Sequence, residues 1–164
     1  MKYIKELVPY ILIILLAIVI RTFIVTPVQV DGNSMYPTLL DNEILLLKKY
    51  DKSYDRFDIV VFNYNKSRLV KRIIGLPGEY VEYKNNELYI NDEKIDNISI
   101  DAYTYDFNLS ELGYNKIPED YYLVLGDNRT NSVDSRMIGL VSKKDILGTT
   151  DFSIFPFNTF GFIK

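Results

Sequence analysis

The chain has 164 residues, of which 48% are hydrophobic, 25% charged and 14% aromatic, and its formal net charge is −3. It contains no histidine and no cysteine, so it cannot form a Ser-His-Asp triad, a cysteine protease site, a zinc finger or a disulfide. Any covalent nucleophile must be Ser, Thr, Lys, Tyr or a carboxylate. The negative net charge gives no reason to expect nucleic acid as a partner.

The N-terminal region contains an apolar segment of the length that crosses a bilayer. Residues 7–25 hold a single charge, that of Arg21. As a helix they would extend about 28 Å, close to the roughly 30 Å thickness of the hydrocarbon core. A cleavable signal peptide is the alternative, but no small-x-small cleavage pattern follows the apolar residues. We therefore expect one uncleaved transmembrane helix.

The charges that flank this segment predict its orientation. Lys2 and Lys5 precede it, whereas no Lys or Arg lies between residues 22 and 47. Because positively charged flanks stay in the cytoplasm, we expect a single-pass protein of the cell membrane with a cytoplasmic N-terminus. The expected organisation is a cytoplasmic tip and anchor in residues 1–25 and an extracytoplasmic domain in residues 26–164.

Beyond residue 25 the sequence is typical of an all-β domain of mostly antiparallel strands. Short segments rich in Ile, Val, Leu and Tyr are bounded by Gly, Asn, Asp or Pro, and no convincing helical repeat extends over eleven residues or more. The predicted strands span residues 26–30, 43–49, 58–64, 68–74, 79–83, 87–90 and 121–126. Residues 84–118 are the most polar, and we expect a surface excursion there that contributes little to the core.

Ser34 is the serine whose surroundings best suit a nucleophile. It follows the first predicted strand, with Gly32 two residues before it and Pro37 three residues after it. Gly permits a close backbone approach and Pro stiffens the chain, so the hydroxyl could be held beside free amides of the kind that stabilise an oxyanion. A turn serine that bonds only to the local backbone is the alternative.

A serine nucleophile needs a base, and in the absence of histidine a neutral lysine can serve. Burial can lower a lysine pKa from about 10.4 by about 3 to 5 units. Strand alternation places Lys71 and Arg72 on opposite faces that are equally apolar, so alternation does not decide which is buried. Arginine cannot lose its proton, which leaves Lys71 as the candidate base. A lysine that extends from a sheet edge into solvent is the alternative.

A third polar segment, GDNRTNSVDSR at residues 126–136, directly follows an apolar predicted strand. It contains Asp127, Arg129, Ser132, Asp134 and Arg136. Polar groups beside a core strand must satisfy their hydrogen bonds or destabilise the fold. The segment is either part of a functional site or a solvated turn with surface ion pairs.

Four segments, in this order along the chain, resemble type I signal peptidase in its bacterial Ser-Lys form. They are SMYPTL at 34–39, DIVVF at 58–62, KRIIGLPGE at 71–79 and GDNRTNSVDSR at 126–136. With the preceding anchor, the resemblance spans about residues 5–140. It implies a membrane-anchored serine endopeptidase that removes signal peptides from exported preproteins without a metal or cofactor.

The same resemblance assigns roles at the reacting centre. Ser34 would be the nucleophile, Lys71 the general base, and the backbone amide of Ser34 one oxyanion donor. Some relatives supply a second donor from a serine two positions before the nucleophile. That position is Gly32 here, which leaves a backbone group or a water molecule for this role.

The resemblance also assigns supporting roles within residues 126–136. Ser132 would form a hydrogen bond with the lysine amine and orient it. Asp134 and Arg136 would form a salt bridge near the site, and Asp127 with Arg129 would brace the same loop.

The implied substrate is a preprotein with small residues at the first and third positions before the cut. It would bind as an added strand between the strand before Ser34 and the strand that carries Lys71. Pocket walls are expected at Val28, Val30, Met35 and Val70. Membrane lipid is the other expected partner, and the Phe-rich segment 151–164 either enters the lipid interface or packs as a core strand.

Two other functions remain open from the sequence. A LexA-like self-cleaving protein uses the same dyad, although that class is cytosolic and carries a DNA-binding element instead of an anchor. An anchored, non-catalytic β module that binds partners would use Ser34 and Lys71 only as structural residues.

Overall fold

A computed structural model describes residues 2–50, 52–95 and 103–163, and for residues 2–6 and 20 only the backbone. The chain begins with helix α1 (Lys2–Val19), which continues as a π-helical turn at Ile20–Ile24. The 18 residues from Leu7 to Ile24 have a mean hydropathy of 2.6, and none of this segment is buried inside the protein. The helix is long and apolar enough to cross a membrane, which is consistent with a membrane anchor.

Thirteen strands follow α1 in the described residues, and they form two sheets with antiparallel pairing. The larger sheet contains β1 (Val25–Gln29), β2 (Ile44–Lys48), β3 (Ile59–Tyr64), β4 (Ser67–Gly75), β9 (Tyr121–Leu125), β10 (Val141–Ser142), β11 (Ile146–Thr150), β12 (Phe152–Phe155) and β13 (Gly161–Phe162). The smaller sheet contains β5 (Val81–Lys84), β6 (Glu87–Ile90), β7 (Glu93–Lys94) and β8 (Phe107–Asn108). A 3₁₀ helix at Leu109–Leu112 and a short helix α2 (Ser135–Ile138) complete the described elements. The predicted fold class is confirmed.

Asparagine-containing turns connect the hairpins. The residue pairs 65–66, 85–86 and 91–92 all have positive φ at both positions, and each pair contains at least one Asn. They join β3 to β4, β5 to β6 and β6 to β7. A two-residue type I′ turn needs positive φ at both central residues, and Asn adopts this conformation at low cost. The turn residues therefore help to fix the register of these hairpins.

The larger sheet curls so that β1 and β4 face each other across a groove. The strand order is β10-β9-β4-β3-β11-β2-β12-β13, with β1 beside β2. The groove is lined by residues 28–31 on one side and residues 68–71 on the other. Neighbouring strands along the path β1-β2-β11-β3-β4 alternate in direction, so β1 and β4 run parallel. Both strands begin at the end of the sheet that adjoins the anchor.

Burial explains the apolar sequence of β3. Ile59 and Val61 pack in one core cluster with residues of β1 and β2, and Val60 and Phe62 pack in another on the opposite face. A strand covered on both faces has no polar side. Residues 59–62, with the sequence IVVF, are therefore continuously apolar and do not alternate with polar residues.

Residues 84–118 contribute more to the core than the sequence predicts. Leu88, Phe107, Leu109 and Ile117 are buried, and they pack with residues of β4, β5 and β9 in a cluster of their own. The expectation that this segment carries little of the core is wrong. Its polar residues occupy the turns and outward faces, while the few apolar residues at alternate positions cover the larger sheet. Residues 96–102 of this segment lie outside the described residues.

Candidate active site

Ser34 lies in a turn that the core holds in place. The Val30 amide donates to the Glu43 carbonyl at 2.7 Å, and the Gly32 amide donates to Asp41 Oδ1 at 2.8 Å. Gly32 has a φ of 87°, a conformation that glycine adopts without a steric cost. Met35, directly after the serine, is fully buried. The turn is thus anchored on both sides of a serine that is itself half-buried.

The amine of Lys71 contacts the hydroxyl of Ser34. Lys71 Nζ lies 2.6 Å from Ser34 Oγ, and it also donates to the carbonyl oxygen of Val70 at 2.8 Å. Only 2% of the Lys71 surface is exposed. A hydrogen bond this short places the amine where it can receive a proton from the hydroxyl.

Burial changes the protonation of this lysine. It lowers the pKa of Lys71 from 10.5 to about 8, although the negative charges of Asp134 and Asp127 oppose the shift. Removal from water disfavours the charged ammonium, and this effect exceeds the attraction of the two carboxylates. A substantial fraction of the amine is therefore neutral in mildly alkaline solution and can act as a base.

The segment 126–136 packs directly against the Ser34 turn. The Asn128 backbone amide donates to the Ser34 carbonyl at 3.0 Å, and its side-chain amide donates to the Asn33 carbonyl at 3.0 Å. A Cβ atom added to Gly126 would lie 2.5 Å from the Ser34 carbonyl oxygen. Only glycine allows the two segments to approach this closely.

The carboxylates of this segment bind arginines. Asp127 accepts from Arg72 at 2.9 and 2.6 Å, and Asp134 accepts from Arg136 at 2.9 and 2.8 Å. Burial alone would raise the pKa of Asp134, but hydrogen bonds from Arg136 and from the Gly126 amide hold it below its usual value. Both carboxylates are fully buried and bidentately paired, the geometry that buried charges require.

Arg129 has partners other than Asp127. Its guanidinium donates to the Gly126 carbonyl, the Tyr83 hydroxyl and the Thr104 hydroxyl at 3.1, 2.9 and 2.6 Å. Asp127 and Arg129 both brace the segment, but through β4 and through the smaller sheet respectively. The one hydrogen bond between them joins the Arg129 amide to the Asp127 carbonyl.

Ser132 is not joined to the lysine. Its hydroxyl oxygen is buried and interacts with the Asp134 carboxylate, whose pKa it helps to lower, and Lys71 Nζ donates to Ser34 and Val70 instead. The hydroxyl and the Ser34 carbonyl oxygen both lie beside Gly126, because a Cβ added there would be 2.2 Å from Ser132 Oγ and 2.5 Å from the Ser34 carbonyl oxygen.

The groove beside the dyad contains all four residues predicted as pocket walls. They are Val28, Val30, Met35 and Val70, and Arg68 and Leu69 extend the lining along β4. The cavity measures about 20 Å³, close to the room that one ordered water needs. Only a small side chain can enter such a space without displacing its walls.

Two contacts at this site were not predicted from the sequence. Arg72 fixes Asp127, and Asn128 fixes the Ser34 turn. An arginine beside the candidate base in an apolar strand is a signal for a buried carboxylate partner, because its charge cannot be removed. No comparable signal distinguishes Asn128 from the other asparagines of the chain.

Within the described residues, no group of three or more acidic side chains could hold a metal ion.

An all-β domain in which a buried lysine contacts a serine hydroxyl has the geometry that a serine peptidase of the Ser-Lys class requires. Residues 2–155 match the family model described as signal peptidase, peptidase S26. The chain therefore belongs to the signal peptidase S26 family. Its activity is that of signal peptidase I, a serine endopeptidase that cleaves signal peptides.

Individual relatives agree with this family. Signal peptidase I S of Bacillus subtilis is 46% identical over 156 residues, which cover 88% of this chain and 85% of the relative. Signal peptidase I of Bacillus caldolyticus is 39% identical over 170 residues, covering 94% and 92% respectively. The crystal structure of a signal peptidase I from Enterococcus faecalis is 40% identical with a TM-score of 0.54, covering 59% of this chain and 96% of that one.

Proposed function

We propose that Ser34 is the nucleophile and Lys71 the general base for signal peptide cleavage. The 2.6 Å contact between Lys71 Nζ and Ser34 Oγ carries this proposal. Neutral Lys71 takes the hydroxyl proton while Ser34 Oγ attacks the carbonyl carbon of the scissile bond. The resulting lysine ammonium then donates the proton to the departing amine of the mature protein, and the signal peptide remains as an ester on Ser34.

Hydrolysis of the ester repeats the proton transfer with water. Lys71 takes a proton from the attacking water, and returns it to Ser34 Oγ as the signal peptide leaves with a new carboxylate. The Ser34 backbone amide donates to no acceptor among the described residues, so it is available to stabilise the oxyanion in both steps. We assign the second donor to a backbone group or a water molecule, because Gly32 has no hydroxyl.

The supporting residues position this dyad. Asp134 and Arg136 form one buried pair, and Asp127 and Arg129 hold the same loop through Arg72 and Tyr83. The Ser132 hydroxyl lies beside Gly126 and Asp134, and we propose that it accepts a hydrogen bond from the lysine ammonium once Ser34 is acylated.

The substrate is proposed to lie in the groove between β1 and β4 as an added strand. Its residues before the cut would extend from Ser34 back along Val30 and Val28 toward the anchor, parallel to β1. The small cavity walled by Val28, Val30, Met35 and Val70 supports a requirement for small side chains at the first and third positions before the cut.

The membrane placement is part of the same proposal. Residues 1–25 would form a cytoplasmic tip and a single anchor, and residues 26–164 an extracytoplasmic catalytic domain. The substrate groove then opens at the membrane face where a translocated signal peptide ends. Restricting enzyme and substrate to one surface raises their effective concentration.

Substitution of the dyad tests this function. Ser34→Ala and Lys71→Ala should each reduce cleavage of a preprotein with Ala at both specificity positions by at least about 10³-fold. Ser110→Ala and Lys84→Ala, at exposed positions near or in the smaller sheet, serve as matched controls and should cleave normally. Normal cleavage by either dyad variant would show that Ser34 and Lys71 have structural roles only.

A further inference from the structure

A second cavity, of about 310 Å³, opens at the end of the larger sheet that adjoins the anchor. Four cations surround it, and the side chains of Leu47 and Leu147 lie between them. We call this cavity the basic pocket, and its cations are Lys49, Lys52, Arg68 and Lys144. Its volume is within the range of sites that bind small molecules.

The basic pocket lies where the chain leaves the membrane-spanning helix. The Lys49 amide donates to the Ile24 carbonyl at 2.9 Å, and Lys49 Nζ donates to the Thr22 carbonyl at 3.4 Å. Thr26, another lining residue, donates its hydroxyl to the Arg21 carbonyl at 2.7 Å. These contacts fix the pocket to the last turn of the anchor, which the proposed membrane placement puts at the depth of lipid headgroups.

These four cations have no carboxylate partner among the described residues. Among the described residues, none of the four forms an ion pair, whereas the adjacent Lys48 is paired with Asp151 at 2.5 Å. Lys52 Nζ contacts the Leu147 carbonyl at 3.2 Å, an uncharged partner on the pocket wall. Four positive charges around one cavity repel each other, and an anion between them would offset that repulsion.

We propose that the basic pocket binds the phosphate of an anionic phospholipid headgroup. Basic pockets at the membrane surface bind such headgroups through charge and hydrogen bonds. The lysines and Arg68 would contact the phosphate oxygens, and Leu47 and Leu147 would lie under the glycerol. Arg68 also lines the substrate groove, so a bound lipid would hold the groove at the bilayer surface.

Binding can be measured without cleavage, on the full chain in neutral detergent with Ser34→Ala. The probes are short-chain phosphatidylglycerol, short-chain phosphatidylcholine and inorganic phosphate, and the readout is the midpoint of thermal unfolding. Phosphatidylglycerol at saturation should raise the midpoint by a few degrees. The other two probes should leave it unchanged.

A double variant locates the site. Lys52→Gln with Lys144→Gln should abolish the rise in the midpoint, whereas the control pair Lys84→Gln with Lys116→Gln, also exposed, should retain it. An equal rise with phosphatidylcholine or with inorganic phosphate would overturn the lipid assignment, as would a rise that survives the double variant.

One further measurement distinguishes a lipid from the signal peptide as the molecule that occupies the basic pocket. With Ser34 restored, the Lys52 and Lys144 double variant should cleave a soluble peptide in lipid-free detergent with an unchanged KM. A raised KM would show that the pocket contacts the signal peptide, and would overturn the proposal while leaving the cleavage function intact.

Discussion

The amine of Lys71 is the atom on which the proposed chemistry depends. With a pKa of about 8, half of it is neutral at pH 8. At the ordinary lysine pKa, roughly 0.3% would be neutral at that pH. Burial therefore increases the amount of active base by about two orders of magnitude, and it does so without placing a cationic group beside the lysine.

The rate should follow this protonation. Below pH 8, kcat/KM for a preprotein should increase about tenfold per pH unit, and it should level off above pH 8 because the free enzyme's base is then neutral. The measurement is a pH-rate profile from pH 5 to 10, with Lys84→Gln as a control that should give the same profile. A rate that is constant over this range would contradict a lysine base.

From the sequence, Ser34 and Lys71 were candidates beside the alternatives of a turn serine and a solvent-exposed lysine, and the structure brings the two side chains into contact. Without histidine or cysteine, a serine needs a lysine base, and Arg72 cannot provide one. The partner of Asp127 could not be predicted in the same way. Its contact with Arg72 joins residues 55 positions apart, and only the pairing of β4 with β9 brings them together.

The contact between the 126–136 segment and the Ser34 turn leads to a second prediction. Asn128→Ala removes the 3.0 Å side-chain hydrogen bond to the Asn33 carbonyl but keeps the main-chain bond to Ser34. The loss of one such bond costs about 1 kcal/mol, so kcat should decrease about 3- to 10-fold. KM should change little, because Asn128 does not line the groove.

Asn131→Ala is the matched control for this prediction. Asn131 is exposed in the same segment, and its one hydrogen bond among the described residues joins its main-chain amide to the Asn128 carbonyl. It should retain the normal kcat. If Asn128→Ala also retains it, or if KM rises instead, the side chain does not position the nucleophile.

The strands could be predicted from the sequence where a buried apolar segment is bounded by turn residues. β2, β3, β4 and β9 each differ from the predicted bounds by at most one residue at either end, because apolar segments end at Gly, Asn or Asp. The prediction for residues 84–118 was wrong because polar residues outnumber the buried apolar residues in that segment.

The Phe-rich hairpin of β12 and β13 leaves Phe157 and Phe162 at 83% and 76% exposure, which favours contact with the lipid interface over packing in the core.

The membrane orientation of the whole molecule can be tested because the chain has no cysteine. Single substitutions Lys2→Cys and Lys116→Cys place one thiol on each proposed side of the membrane. In intact cells, a membrane-impermeant maleimide should label only position 116. After lysis it should label both positions.

The reagent's failure to label the cysteine-free parent chain is the control for background reaction. Labelling of position 2 in intact cells, or protection of position 116, would contradict a cytoplasmic N-terminus. The result would also bear on mechanism, because a cytoplasmic groove could not meet the end of a translocated signal peptide.

Stability of the folded chain should depend on pH through the lysine that we propose as the general base. Lys71 has a pKa of about 8 in the fold and 10.5 as its ordinary value, so the unfolded chain binds more protons between these two pH values. Stability therefore rises with pH across this window, and the full cost of the buried lysine, about 3 kcal/mol, is present below pH 8. Lys71→Met removes this titration, so its free energy of unfolding should exceed that of the parent at pH 7, and the difference should shrink toward pH 10.5.

Urea unfolding of both full-length chains in detergent at pH 7, 9 and 10.5 measures this difference in free energy. The titration of tyrosines and other lysines is the same in both chains and cancels. A difference independent of pH would mean that Lys71 is not buried as an amine in the folded protein.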